Sequence, residues 1–258
     1  MKFILQPSVY VVIKPAVDMV DLCRFLVDNN ISGERITDPK IPDGELPVVI
    51  GGRNCYQSFS TGREHGEYIK NILKQGHGSV LEHSNYGILI TGVSRSLTHE
   101  LIRHRQFGVS QLSQRFVEHD DCNFVVPPAL MPHWDAKAKE VSSIQAEFID
   151  MAEYAVNAYE YWMQIYQKLG LKNKEVKEAA RAVLPNCTET RILITGDLRC
   201  WRVFFELRCD EGADKEIRRL AWMCYKRLRE ECPNVFGDYE ELPLDDGSGE
   251  LSTPNRKV

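Results

Sequence analysis

The chain has 258 residues, a formal net charge of -5, 43% hydrophobic and 27% charged residues. That length can bury roughly three quarters of the unfolded surface in one core, and the composition, ordinary for a soluble globular protein, excludes disorder except at the end of the chain. The acidic balance argues against a general nucleic-acid binder, and no apolar run approaches the roughly 18 residues of a membrane span. The expectation is a soluble, cytoplasmic protein: one domain over residues 1–240 and a polar, flexible tail over 241–258.

The opening Met1-Lys2-Phe3-Ile4-Leu5 is interrupted by Gln6 and Pro7, with no small-residue cleavage site, and so does not read as a signal peptide. Ser8 to Lys14 is β-branched and aromatic between prolines, which predicts a strand. Ala16 to Asn29 places Val17, Val20, Leu22, Phe25 and Leu26 at helical spacing. Residues 30 to 52 read as a Gly/Pro/Asp-rich connection holding one short apolar run, Leu46 to Ile50. Arg63 to Lys74 predicts a helix stopped by Gly76. Gly76 to His83 is a Gly-punctuated polar turn; His77, Glu82 and His83 there read as loop histidines or pocket lining rather than a metal site.

Asn85 to Val93 is a strand that feeds a helix from Ser94 to Arg105. A second copy follows 104 residues later: Ile192-Leu193-Ile194-Thr195-Gly196-Asp197-Leu198-Arg199 matches Ile88 to Arg95 at six of eight positions. Each copy precedes a helix with a basic residue near its end, Arg103 and Arg208, which suggests two strand-turn-helix units presenting arginines to one pocket. Phe124 to Val126 is a short strand closed by prolines. Between about Ala136 and Leu169 a long helix carries Val141, Ile144, Phe148, Met151, Ala155, Ala158, Trp162, Ile165 and Leu169 at alternating spacings of three and four, a heptad seam that needs a helical partner in this chain or in another copy. Lys174 to Leu184 and Asp214 to Cys232 are further helices. Eight cysteines show no C-x-x-C pair and read as reduced core residues.

The densest chemistry lies in residues 103 to 115, Arg-His-Arg-Gln-Phe-Gly-Val-Ser-Gln-Leu-Ser-Gln-Arg, the end of a helix and a following loop. Three guanidiniums and an imidazole this close require negative charge from elsewhere. Acidic side chains such as Glu100, Glu206 and Asp210 are one source, and a phosphorylated ligand is the other. An extended basic stripe is missing, which disfavours RNA; a nucleotide-sensing module without turnover remains an alternative. His99-Glu100-Leu101-Ile102-Arg103 begins like a zinc-protease helix, but Arg stands where the second ligand must be.

Arg103-His104-Arg105 followed by seven residues and Ser113 resembles the signature of the flavin-dependent thymidylate synthases. Gly76-His77 through Glu82-His83, Ser110 through Arg115, Ala180 through Pro185 and Thr190 through Arg208 are similar to that family in the same order. The resemblance implies an α/β fold of α+β type, with an antiparallel-containing central sheet covered by helices, in a homotetramer whose active sites lie where subunits meet. It implies reductive methylation of deoxyuridine monophosphate (dUMP) to thymidylate, with methylenetetrahydrofolate as carbon donor and NADPH as reductant through FAD, and no metal. Carried over by position, Glu100, Arg103, Gln111, Leu112, Ser113, Gln114, Arg115, Arg181 and Arg208 would contact dUMP, Arg208 as the catalytic group. His77, Ser79, Arg103, His104, Arg105, Gln111, Asp197, Arg199 and Val203 would surround the flavin. Asp197 stands where the family commonly has Asn, and Val203 where it has His or Asn; an anion at 197 would need compensation, with Arg199 as the candidate.

Overall fold

The structure, a computed structural model, describes residues 1–117, 122–134, 142–256 and 258. The chain resolves into two compact units interleaved in sequence: Met1–Ser8, Ile90–Arg103 and Val109–Leu193 form the first, and Val9–Leu89, His104–Gly108 and Ile194–Val258 the second. Strands β3 (Asn85–Ser94) and β6 (Glu189–Asp197) each contribute residues to both. These are the two copies of the repeated sequence, and they are the central pair of a four-stranded sheet ordered β2, β3, β6, β4, with β2 at Ser8–Ile13 and β4 at Gly108–Gln111. The expected mixed helix-and-sheet class is present, with antiparallel pairing between β7 (Glu240–Pro243) and β8 (Gly249–Ser252).

In the first unit, β1 (Phe3–Ile4) pairs in parallel with β5 (Phe124–Val125). Phe3 packs on Trp134 and Phe148, with ring centroids 5.1 and 6.0 Å apart. Gly92 holds φ at +71°, and a Cβ there would lie 3.0 Å from Ile4 Cγ2 and 3.1 Å from the Gln6 carbonyl, so the strand bends where only glycine fits. The long helix α5 (Ser143–Lys168) is capped by Ser142, whose Oγ accepts from Gln145 N–H; the part of the expected helix before it, 136 to 141, lies outside the described residues. Its buried stripe is Gln145, Ala152, Ala155 and Tyr159, and its neighbour is α6 (Asn173–Ala180). The heptad seam coincides with that stripe only in part: Ala155 is buried and Phe148, Ala158 and Ile165 are half-buried, while Ile144, Met151, Trp162 and Leu169 are exposed.

The second unit is built on α7 (Leu198–Arg208) and α8 (Lys215–Glu231). Trp201, Phe204, Phe205, Tyr225 and Phe236 are buried and meet mostly edge to face. Three other helices belong to this unit: α1 (Met19–Asp28), α2 (Leu46–Tyr56) and α3 (His65–Lys74). Helix α1 starts later than expected because Asp18 caps it, accepting from Val20 and Asp21 N–H. Helix α2 corrects the reading of residues 30 to 52 as connection only. Pro47 sits in its first turn, where its missing N–H costs nothing, and Val48 and Val49 are fully buried.

The basic segment also differs from expectation. Helix α4 (Arg95–Leu101) ends before Arg103, with Ile102 as its C-cap, and Gly108–Gln111 is strand β4 rather than loop. Residues 240 to 252 form the β7/β8 hairpin, with Ser248 and Leu251 buried in this unit.

Candidate functional site

The first unit gathers one set of the sequence-predicted residues. Gln111, at the end of β4, donates through Nε2 to Thr98 Oγ1 at 3.1 Å and to Thr190 Oγ1 at 3.4 Å, which ties it to α4 and β6. The Leu112 N–H donates to the Arg191 carbonyl at 3.0 Å, so the segment after β4 stays in register with β6. Ser113 Oγ accepts from Arg115 N–H at 3.2 Å, a local turn that commits the hydroxyl to backbone order. Gln114 is buried, while Arg115 pairs loosely with Glu178 at 3.5 Å and lies over Phe116. Arg181 opens the 3₁₀ turn after α6, half-buried. Glu100 and Arg103 occupy the end of α4 and the residue past its cap.

Arg95 belongs to this set and sequence reasoning passed over it. Its guanidinium donates to the Leu112 carbonyl at 2.8 Å, and its Nε is buried without a hydrogen-bond partner. Burial, and then the charge of Arg181, holds it below the usual arginine range. As the first residue of α4 it is also a cation at the positive end of a helix. A buried guanidinium with an unused donor, facing the charge of a second, describes a place for an anion. The repeat held the signal, since Arg95 aligns with Arg199.

The second unit gathers the other set. A cavity of about 330 Å³ is bounded by Cys55, Tyr56, the 76–80 turn and Arg199. His77 stacks on Tyr56 at 6.1 Å and 21° between planes. A Cβ at Gly78 would lie 2.9 Å from the Val258 carbonyl carbon and 3.0 Å from Arg199 Nε, so glycine lets the backbone pass close to the Val258 backbone and to the guanidinium. Arg199 pairs with Glu82 at 2.6 Å. The compensation expected between Arg199 and Asp197 is therefore replaced: Asp197 caps α7, accepting from Cys200 N–H at 2.8 Å, where the helix N-terminus favours its charge. Val203 is half-buried one turn further along α7.

A neighbouring cavity of about 340 Å³ shares the Tyr56 and His77 wall. Its floor is Arg53, fully buried, which donates to the carbonyls of Ser58, Thr61 and Arg63 and so shapes the 57–64 loop.

His104 is buried and accepts at Nε2 from Arg208 Nε at 2.9 Å, while Arg105 is exposed. Burial pushes the Cys200 thiol up to about 12 and those of Cys209, Cys224 and Cys232 higher still, so these four are thiols at neutral pH and poor nucleophiles.

The residues present suit a flavin dinucleotide. A glycine-permitted backbone approach, a cation beside it, a hydroxyl at Ser79 and an aromatic wall are the donor set that a pyrophosphate and a planar ring require.

The Thy1 family model, described as thymidylate synthase complementing protein, matches residues 39–234. A flavin-dependent thymidylate synthase of Mycobacterium avium (strain 104) is 45% identical over 222 residues, covering 82% of this chain and 86% of that protein. One from Mycobacterium sp. (strain JLS) is 43% identical over 245 residues, 92% of this chain and 95% of that protein. One from Mycobacteroides abscessus is 42% identical over 218 residues, at 82% and 86% coverage. With the family model spanning most of its length and relatives of this identity matched nearly end to end, the chain belongs to the Thy1 family, that of the flavin-dependent thymidylate synthases.

Proposed function

We propose that this chain is a flavin-dependent thymidylate synthase, a transferase that methylates dUMP reductively to thymidylate. Membership of the family carries the reading: the matched stretch, 39–234, contains every residue assigned to the site. The finer proposals are methylenetetrahydrofolate as carbon donor, NADPH as reductant, a homotetramer with active sites at subunit interfaces, and a cytoplasmic location. FAD, when bound, supplies the hydride transfer that no side chain can perform.

The residues divide the remaining work. Arg115 and Arg181 hold the nucleotide phosphate, since guanidiniums pair bidentately with phosphate oxygens and fix orientation as well as affinity, and Arg103 contacts the nucleotide beside them. Glu100, Gln111, Leu112, Ser113 and Gln114 place the sugar and base. Arg208 faces the uracil carbonyl edge, where a cation stabilises the N3-deprotonated ring and so raises electron density at C5. Ser113 binds rather than attacks, because no base is assigned to take its proton. His77, Ser79, His104, Arg105, Asp197, Arg199 and Val203 line the flavin site together with Arg103 and Gln111.

The purified protein should bind FAD, show a flavin visible spectrum that bleaches with NADPH, and form thymidylate from dUMP and methylenetetrahydrofolate. A colourless protein that takes up no added FAD removes the reading. Binding of dUMP without oxidation of reduced nicotinamide would instead favour a nucleotide sensor.

A further inference from the structure

Arg208 Nε lies 2.9 Å from His104 Nε2. A guanidinium carries only donors, so the imidazole nitrogen facing it must offer its lone pair, and the ring proton must sit on Nδ1. The contact thus fixes one tautomer of His104 and forbids the imidazolium, which would set two cations and two donors against each other. Packing enforces the geometry. The ring is 6% exposed and meets Phe204 edge-on at 5.0 Å and 83°, with Phe107 at 6.4 Å. Phe204 lies one helical turn before Arg208 on α7, so the helix that carries the arginine also grips the histidine that orients it.

We propose that His104 is a positioning residue for the uracil-activating arginine: as a neutral Nδ1–H imidazole it holds the plane of the Arg208 guanidinium through Nε. This rests on the assignment of Arg208 to the uracil edge and gives His104 a role separate from lining the flavin site. A guanidinium released from that bond rotates about its long stem, and misplacement on the scale of an ångström costs about a hundredfold in rate.

Two measurements test it. Solid-state NMR of the 15N-histidine-labelled full chain at pH 8, without ligand, should show His104 with protonated Nδ1 and bare Nε2, and Arg208→Met should change that pattern. An Nε2–H tautomer or an imidazolium in the unsubstituted protein overturns the proposal while leaving the role of Arg208 intact.

In the assembled enzyme, His104→Phe keeps the ring but deletes the acceptor. Measured at saturating FAD, it should lower kcat for thymidylate about a hundredfold, and His104→Gln, whose Oε1 can accept near the Nε2 position, should recover at least tenfold. A His104→Phe loss that is reversed by excess FAD assigns the residue to the flavin alone and overturns the proposal. Full turnover in Arg208→Met overturns both the proposal and the assignment beneath it.

Discussion

Arg95 and Asp197 show how single residues acquire meaning from their neighbours. Arg95 carries a buried, unpartnered Nε beside a second guanidinium, which is costly unless a ligand brings negative charge. Arg95→Met should therefore weaken dUMP binding in titration calorimetry by one to two orders of magnitude. It should also leave thermal stability unchanged or higher, because a strained cation is removed. A variant that melts earlier and binds dUMP normally would make Arg95 a structural tether of the Leu112 carbonyl instead. Asp197 separates two roles that one position can hold, helix cap and charge near the flavin. Asp197→Asn keeps the cap on Cys200 N–H and should tighten FAD without a change in melting temperature, whereas Asp197→Ala should cost about 1 kcal/mol of stability. Val203→His adds a polar group on the same helix and should tighten FAD in a titration; equal affinities in the three proteins would show that this face of α7 does not meet the flavin.

At the scale of elements, α5 packs its stripe of Gln145, Ala152, Ala155 and Tyr159 within the first unit and leaves Met151, Tyr154, Tyr161 and Trp162 exposed. That second apolar face is what a homotetramer would cover. If the proposed homotetramer buries that face, Met151→Glu with Trp162→Glu should reduce it to a smaller species by light scattering while helix content by circular dichroism is retained. An unchanged mass would show that this face carries no subunit contact. The elements divide into those whose pattern was legible and those that were not. Helices α3 and α8 and strands β2, β3 and β6 follow directly from period and punctuation. Helix α2 does not, because Leu46-Pro47-Val48-Val49-Ile50 is too short and too β-branched to show a helical period. Its deciding signal was Pro47 at a helix start, which resembles a turn when read along the chain. The seam of α5 was legible as apolar spacing, but two apolar faces a residue apart give the same count, and spacing alone does not say which one the chain itself covers.

Across the whole molecule, the residues proposed for the site stand out in the sequence because they cluster in short motifs, while the contacts that brace them do not, because their partners are far apart in sequence. The buried pair that holds the site-bearing helix α7 illustrates this. Arg202, fully buried, forks onto both oxygens of Asp238 at 2.7 and 2.9 Å, and Thr253 and Asn255 donate to the same carboxylate at 2.6 and 3.0 Å. Arg202 also donates to the Val235 and Asn255 carbonyls, so α7, the segment after α8 and the residues beyond β8 converge on one ion pair. Burial by itself would raise the Asp238 carboxyl, and the bonds from Arg202, Thr253 and Asn255 outweigh it, leaving it below the usual carboxylate range. A carboxyl depressed in the folded state stabilises the protein at pH values above its unfolded pKa of about 3.9, and that contribution disappears as pH falls through the lower folded value. Asp238→Asn should therefore cost about 3 kcal/mol at pH 7, where it strands a buried guanidinium. The gap between variant and parent in urea midpoint should close below about pH 4, as the parent loses the same interaction by protonation. Parallel curves for the two proteins from pH 7 to pH 3 would mean that the pair contributes nothing net, and that α7 is held by its aromatic packing on Tyr225 and Phe236 instead.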